Sequence, residues 1–267
     1  MKIEFTKMAG AGNDFIFLGP GYAGLRERAP RLAAVLCERR RSVGADGLII
    51  VEEAGEDIVM RYFNRDGSRA SFCGNGARCL VLYCTEKGLR RGEFDFWSES
   101  GVHRGGVTPE GVRVSMEAPR LIGDYMLDID GDTRLVTLAD AGVPHAVLLT
   151  EEVEGIDVEG LGRRVRMHPE FEPEGANADF VATSGRDGFP IRTYERGVEK
   201  ETLACGSGCV AAALVLRSKN ISGSTAAFRV ASGDLITVEL PRKGEEGAAY
   251  LTGPACFVFE GVAEFEE

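Results

Sequence analysis

The chain has 267 residues, 44% hydrophobic and 27% charged, the balance of a soluble globular protein. Its 31 basic and 42 acidic residues leave a formal net charge of −11, which argues against nucleic acid or an anionic membrane as partner. The opening MKIEFTKMAG lacks the apolar stretch of a signal peptide, and the longest apolar run, Cys209 to Leu216, is too short to span a bilayer. Seven cysteines without an export signal imply reduced thiols, so a cytoplasmic location is expected.

Strand-like segments dominate. In the first half they are Glu4–Met8, Phe15–Leu18, Leu48–Val51, Asp57–Phe63, Glu93–Trp97 and Val112–Met116. In the second they are Leu135–Leu138, Ala146–Leu149, Asp179–Ala182, Ile191–Tyr194, Ala227–Val230, Leu235–Leu240 and Cys256–Glu260. Short helices are expected near Pro30, a favoured first-turn residue, and near Asp157. Two further helices, Ala77–Lys87 and Cys209–Arg217, are apolar on nearly every face and so must be buried on every face. Gly88 supplies a stop for the first of them.

The chain repeats itself. Cys73-Gly74-Asn75-Gly76 and Cys205-Gly206-Ser207-Gly208 each precede one of the apolar helices, 132 positions apart (205 − 73). Upstream, Phe5–Leu18 matches Leu135–Leu148 at an offset of 130, so that Gly12 matches Gly142, Asn13 matches Val143 and Phe15 matches His145. A period this long is a tandem duplication of domains, not a solenoid. The fold expected is α+β: two pseudo-symmetric domains, each a curled, mostly antiparallel sheet or barrel around one central helix. The first domain takes residues 1–118, with 255–267 returning to it, and the second takes 119–254. Glu117–Arg120, containing Pro119, is the expected link.

A cysteine in the first turn of a helix sits among unpaired backbone N–H groups at the positive end of the helix dipole, which favours thiolate. The glycines after it let backbone N–H groups approach an anion such as a carboxylate. Tandem domains meet at a cleft, where a ligand would see one such cradle from each side. Two thiols on opposite faces of a carbon could remove a proton on one side and supply one on the other. Helix N-termini at the carboxylate would stabilise the charge that develops. Cofactors are expected to be none, since there is no P-loop and Gly10-Ala11-Gly12 lacks the last glycine of a dinucleotide fingerprint. A metal or redox module is the rival from another class, resting on Cys205 and Cys209 four apart. His103, His145 and His168 show no ligand grouping, so no metal is expected. A non-catalytic amino-acid-binding protein is a further alternative.

The motifs resemble those of the diaminopimelate epimerase family, cofactor-independent two-cysteine amino-acid racemases, along essentially the whole chain. They are Phe5-Thr6-Lys7-Met8 with Gly12-Asn13-Asp14-Phe15, Phe63-Asn64-Arg65-Asp66-Gly67-Ser68, and Cys73-Gly74-Asn75-Gly76-Ala77-Arg78. Then come Pro144-His145, Asn177-Ala178-Asp179-Phe180, Tyr194-Glu195-Arg196-Gly197 and Thr202-Leu203-Ala204-Cys205-Gly206-Ser207-Gly208. The resemblance implies epimerisation of LL- to meso-2,6-diaminopimelate, in lysine and peptidoglycan precursor synthesis, with Cys73 and Cys205 as the acid–base pair supported by His145 and Glu195. It assigns Gly74, Asn75, Gly206 and Ser207 to the α-carboxylate. Asn13, Asn64, Asn177, Glu195 and Arg196 would hold the remaining amino and carboxylate groups. Many members carry asparagine before the Pro-His, where this chain has Val143. A racemase acting on histidine, proline or an acidic amino acid therefore stays open. The expected partner is a small amino-acid substrate. A homodimer is compatible with the sequence, which does not set the oligomeric state.

Overall fold

The computed structural model describes residues 1–245 and 247–265, which divide into two compact units. One is Met1–Val114 together with the segment from Gly253 onward, and the other is Ser115–Thr252. In chain order the first unit contains β1 (Lys2–Gly10), β2 (Asn13–Leu18), α1 (Ala29–Leu36), β3 (Gly47–Ala54), β4 (Asp57–Asn64), α2 (Gly74–Glu86), β5 (Phe94–Ser98), β6 (Gly101–Thr108) and β7 (Gly111–Met116). The second contains β8 (Arg120–Ile129), β9 (Asp132–Asp140), β10 (Pro144–Thr150), α3 (Val158–Arg166), β11 (Asn177–Ala182), β12 (Phe189–Glu195), β13 (Lys200–Thr202), α4 (Gly206–Ser218), β14 (Thr225–Arg229), β15 (Leu235–Glu239) and β16 (Ala249–Gly253). The last strand, β17 (Cys256–Glu264), pairs with β1.

Both units follow one pairing plan. In the first, the order β17-β1-β2-β3-β4-β5-β6-β7 is antiparallel except for the parallel pairs β2·β3 and β4·β5. In the second, β8-β9-β10-β11-β12-β14-β15-β16 is antiparallel except for β10·β11 and β12·β14. Parallel neighbours need a crossover, and each of these pairs brackets one α-helix. The crossovers α1 and α3 lie against the sheet with Leu32, Ala33 and Leu36, or with Val158 and Val165. The crossovers α2 and α4 cover the other face.

That two-sided burial explains the strand composition. Along β2 and β3, Ile16, Leu18, Leu48 and Ile50 join the cluster under α1, while Phe17 stacks on Tyr83 of α2 at 5.4 Å between ring centroids. Strands covered on both faces read as apolar runs, as in Leu48-Ile49-Ile50-Val51, rather than as alternation. The helices are enclosed as their all-round apolarity requires: every residue of α4 from Gly208 to Leu216 is buried. Each central helix stops on a left-handed residue, Gly88 (φ 70°) after α2 and Asn220 (φ 58°) after α4. The sequence marks the glycine clearly, and the asparagine stands at the equivalent place.

Several strands escape the sequence reading. Glu117–Pro119 is irregular, but Arg120 already begins β8, a ten-residue strand paired with β9. The signal was present in Asp130-Gly131, whose positive φ values (56° and 84°) make the hairpin turn that such a pair favours. β6 was hidden by Gly105 and Gly106, which have low strand propensity but sit where a Cβ would meet Val81 or Glu93. Leu80 is fully buried in the middle of α2, so its truncation would leave a cavity. Leu80→Ala is therefore expected to destabilise by about 2–5 kcal/mol. A denaturant titration should show a lower midpoint with an unchanged slope.

Candidate active site

Cys73 and Cys205 occupy equivalent backbone positions in the two units. Each is the residue before its helix, in extended conformation (φ −147°, ψ 114° and φ −124°, ψ 112°), and its carbonyl accepts the first helical bond, from Ala77 or Cys209. Neither side chain makes a capping hydrogen bond, and the Gly208 N–H of the first turn acts on the Cys205 thiol. Cys73 is half-buried and Cys205 buried.

In the first unit the amides expected at the site form a chain. Asn75 Nδ2 donates to Asn13 Oδ1 at 2.7 Å, and Asn13 Nδ2 donates to Asp46 at 3.0 Å. Behind Asn75, the fully buried Arg78 donates to its Oδ1 at 2.5 Å and to the Pro254 carbonyl at 3.4 Å. Asp46 and Asp14 are held in turn by Arg39, at 2.8 and 2.5 Å, and Lys7 pairs with Asp14 at 2.8 Å. Burial alone would raise the Asp14 carboxyl, but Arg39 and Lys7 hold it below its ordinary range. Asn64 stands apart from this chain: its amide donates to Ser68 in the turn after β4. It pairs across the sheet with Gly47, which pairs with Phe15.

The second unit gathers His145, Asn177, Cys205 and Ser207. Ser207 Oγ lies 3.4 Å from Cys205 Sγ and 2.9 Å from His145 Nε2. Asn177 Nδ2 lies 3.3 Å from the same nitrogen, while its Oδ1 accepts the Arg196 backbone N–H at 2.7 Å. The opposite ring nitrogen, Nδ1, is 2.6 Å from Asp179, and Thr193 donates to the other oxygen of that carboxylate at 2.6 Å. The Arg196 guanidinium is turned to Glu174 and the Gly175 carbonyl. Val143, half-buried, follows Gly142 (φ 91°) in the turn where Asn13 follows Gly12 (φ 89°).

Electrostatics correct one sequence expectation. Placement at a helix start was expected to favour thiolate at both cysteines. Burial first, then the Glu195 and Asp179 carboxylates, push the Cys205 thiol well above its ordinary range; Ser207 and the Gly208 N–H oppose this without cancelling it. Cys205 is thus a neutral thiol at neutral pH, poised to donate. Glu195 is also raised, mainly by burial and further by Asp179.

Asp179 and Thr193 were missed as site residues. Asp179 lies inside the quoted Asn177–Phe180 motif, and a carboxylate within an otherwise apolar strand was the signal available. Nothing local marked Thr193, which reaches Asp179 only through the β11·β12 register. His103 and His168 are occupied elsewhere: His103 stacks on Phe72 at 4.0 Å, and His168 accepts from the Glu170 N–H.

The family model for diaminopimelate epimerase matches residues 5–122 and 137–258. Curated diaminopimelate epimerases of Aquifex aeolicus (36% identical, covering 97% of each chain) and Archaeoglobus fulgidus (36%, covering 100% of this chain and 98% of the relative) are similar along their length. Among solved structures, a phenazine biosynthesis protein of the PhzF family from Bacillus anthracis superposes with a TM-score of 0.76 at 14% identity, covering 99% of this chain and 100% of the other. A probable proline racemase from Agrobacterium radiobacter K84 gives 0.73 at 14%, covering 99% and 93%. At such identities these two structures establish a shared fold and no more.

The raised Glu195 carboxyl has a stability consequence. Above pH 4.5 an unfolded Glu195 loses its proton while the folded one retains it, so stability falls as pH rises from 4.5 to the folded value and is level beyond it. Glu195→Gln should therefore be more stable than the parent at pH 7, and the gain should vanish below about pH 4.5. Denaturant melts at both pH values check this; a gain that persists at low pH contradicts it.

Proposed function

Because the chain belongs to the diaminopimelate epimerase family, we infer that it epimerises LL-2,6-diaminopimelate to the meso form, and we propose that Cys73 and Cys205 do so as a two-base pair. One sulfur, as thiolate, takes the α-proton; the other, as thiol, delivers a proton to the opposite face of the same carbon. The first then carries the proton and the second the charge, so the reverse reaction exchanges their roles. Between the two transfers the substrate carries enediolate-like charge on its α-carboxylate. The first-turn N–H groups left uncapped at Gly74 and Gly206 are suited to stabilise that charge.

The observation that carries this reading is the matched backbone placement of two thiols, each opening an enclosed helix. Asn13, Asn64, Gly74, Asn75, Asn177, Arg196, Gly206 and Ser207 are assigned to substrate binding. Asn75 and Asn13, already bonded to each other, offer a rigid pair of amides. Arg196 would have to leave Glu174 to meet a substrate carboxylate, an exposed exchange of low cost. We place the reaction in the cytoplasm, where both thiols would stay reduced. Val143, where the first repeat has Asn13, favours one second reading, inversion of another amino acid on the same fold.

The deciding measurement is inversion in heavy water of LL- and meso-diaminopimelate beside histidine, proline and glutamate. Inversion with deuterium uptake at the α-carbon of diaminopimelate alone is expected; turnover of only a monoamino acid would shift the assignment to the second reading. Cys73→Ala and Cys205→Ala should each lose about 10²–10⁴-fold or more in inversion rate. Any exchange that survives should be confined to one diastereomer in each variant, and to opposite ones. Full inversion by either variant would overturn the two-thiol mechanism.

A further inference from the structure

We propose that Asp179 is a positioning residue for Cys205, acting through His145 and Ser207. It holds the imidazole with Nε2 unprotonated so that a proton can pass between the thiol and the ring. The tautomer follows from hydrogen-bond direction. Asn177 Oδ1 accepts the Arg196 N–H, which orients the amide so that Nδ2, a donor only, faces His145 Nε2. Nε2 must then be an acceptor, and the ring proton sits on Nδ1, donated to Asp179 Oδ2. Thr193 fills the other carboxylate oxygen. The remaining links agree: the Cys205 S–H faces Ser207 Oγ, and the Ser207 O–H faces Nε2.

The transfer balances. The S–H bond breaks and its proton joins Ser207 Oγ, while the hydroxyl's own proton passes to Nε2. This leaves a thiolate, an unchanged serine and an imidazolium beside the Asp179 carboxylate. The reverse passage restores the thiol. Of the charged groups facing Cys205 within its unit, Glu195 and Asp179 oppose thiolate formation. The imidazolium formed by this route is what would offset them.

The other repeat shows that the fold does not need these polar groups. At the matching places the first unit has Phe15 for His145, Ile49 for Asp179 and Tyr62 for Thr193, by the same strand registers. Phe15 and Tyr62 meet edge to face there, 5.9 Å apart. A Cβ added at Gly76 would meet Ile49, whereas one added at Gly208 would lie 2.5 Å from Asp179 Oδ1. One architectural slot is apolar under one cysteine and polar under the other. A fully buried His–Asp pair rarely stabilises more than an apolar replacement of its size, so its retention under Cys205 points to chemistry.

The kinetic arm of the test rests on the epimerase reading, and the spectroscopic arm does not. Nitrogen-15 spectra of the histidine-labelled protein should show His145 protonated at Nδ1 and bare at Nε2; the opposite tautomer would overturn the proposal whatever the activity. Asp179→Asn should lower kcat about 100-fold or more with KM within about threefold, and Ser207→Ala should lower kcat at least as much, with KM free to rise because Ser207 also lies at the carboxylate site. The double variant should lose no more than the worse single one, because both interrupt one path. A full kcat in Asp179→Asn, or additive losses, would reject the path. If the parent protein fails to turn over diaminopimelate, the functional assignment falls while the tautomer result still decides the hydrogen-bond direction.

Discussion

A helix without a polar face has nowhere to go but inside, and this constraint organises both units. α2 and α4 are each enclosed by a sheet whose strands are consequently apolar on both sides. Enclosure leaves only the helix ends free to meet a ligand, and at each N-terminus stands a cysteine followed by a glycine. The two cysteines therefore stand where helix ends present backbone N–H groups. Glycine is needed beneath Cys205 because Asp179 occupies the space a methyl group would take at Gly208.

Duplication accounts for the matching backbones, and divergence within it accounts for the unlike surroundings of the two thiols. Under Cys73 lie Phe15, Ile49 and Tyr62, with a chain of amides from Asn13 to Asn75 and the buried Arg78. Under Cys205 lie His145, Asp179 and Thr193, and Ser207 replaces Asn75. The exchange of Asn13 for Val143 belongs to the same divergence: in the first unit the turn amide bonds Asn75, and in the second Ser207 is bonded to His145. The slot filled by Phe15, Ile49 and Tyr62 in one repeat holds the hydrogen-bonded His145, Asp179 and Thr193 in the other.

Much of the plan was legible without coordinates. The two cysteines, their glycines, the enclosed helices and most strands were set by local rules: apolarity over several turns, a stop glycine, and turn residues between apolar runs. What stayed hidden was whatever depends on partners distant in the chain. The expected link reached only the first residue of β8, Arg120, and the rest of the strand carried no strand expectation because most of its residues are exposed; pairing with β9 orders it. Thr193 reads as an ordinary strand residue until the register of β12 against β11 sets it beside Asp179.

The sequence by itself marked the family, the duplication and the two cysteines that open the enclosed helices, because those are written in residue types at fixed short spacings. Only the tertiary structure brings together the groups that push the Cys205 thiol upward and the hydrogen-bond partners of His145, Asp179 and Ser207. Each of these depends on burial and on groups that the fold brings close from different places in the chain, for instance Glu195 and Asp179 at Cys205 and His145 at Ser207, 62 residues apart. An electric field sums over neighbours in space, and a one-dimensional string does not specify which neighbours those are.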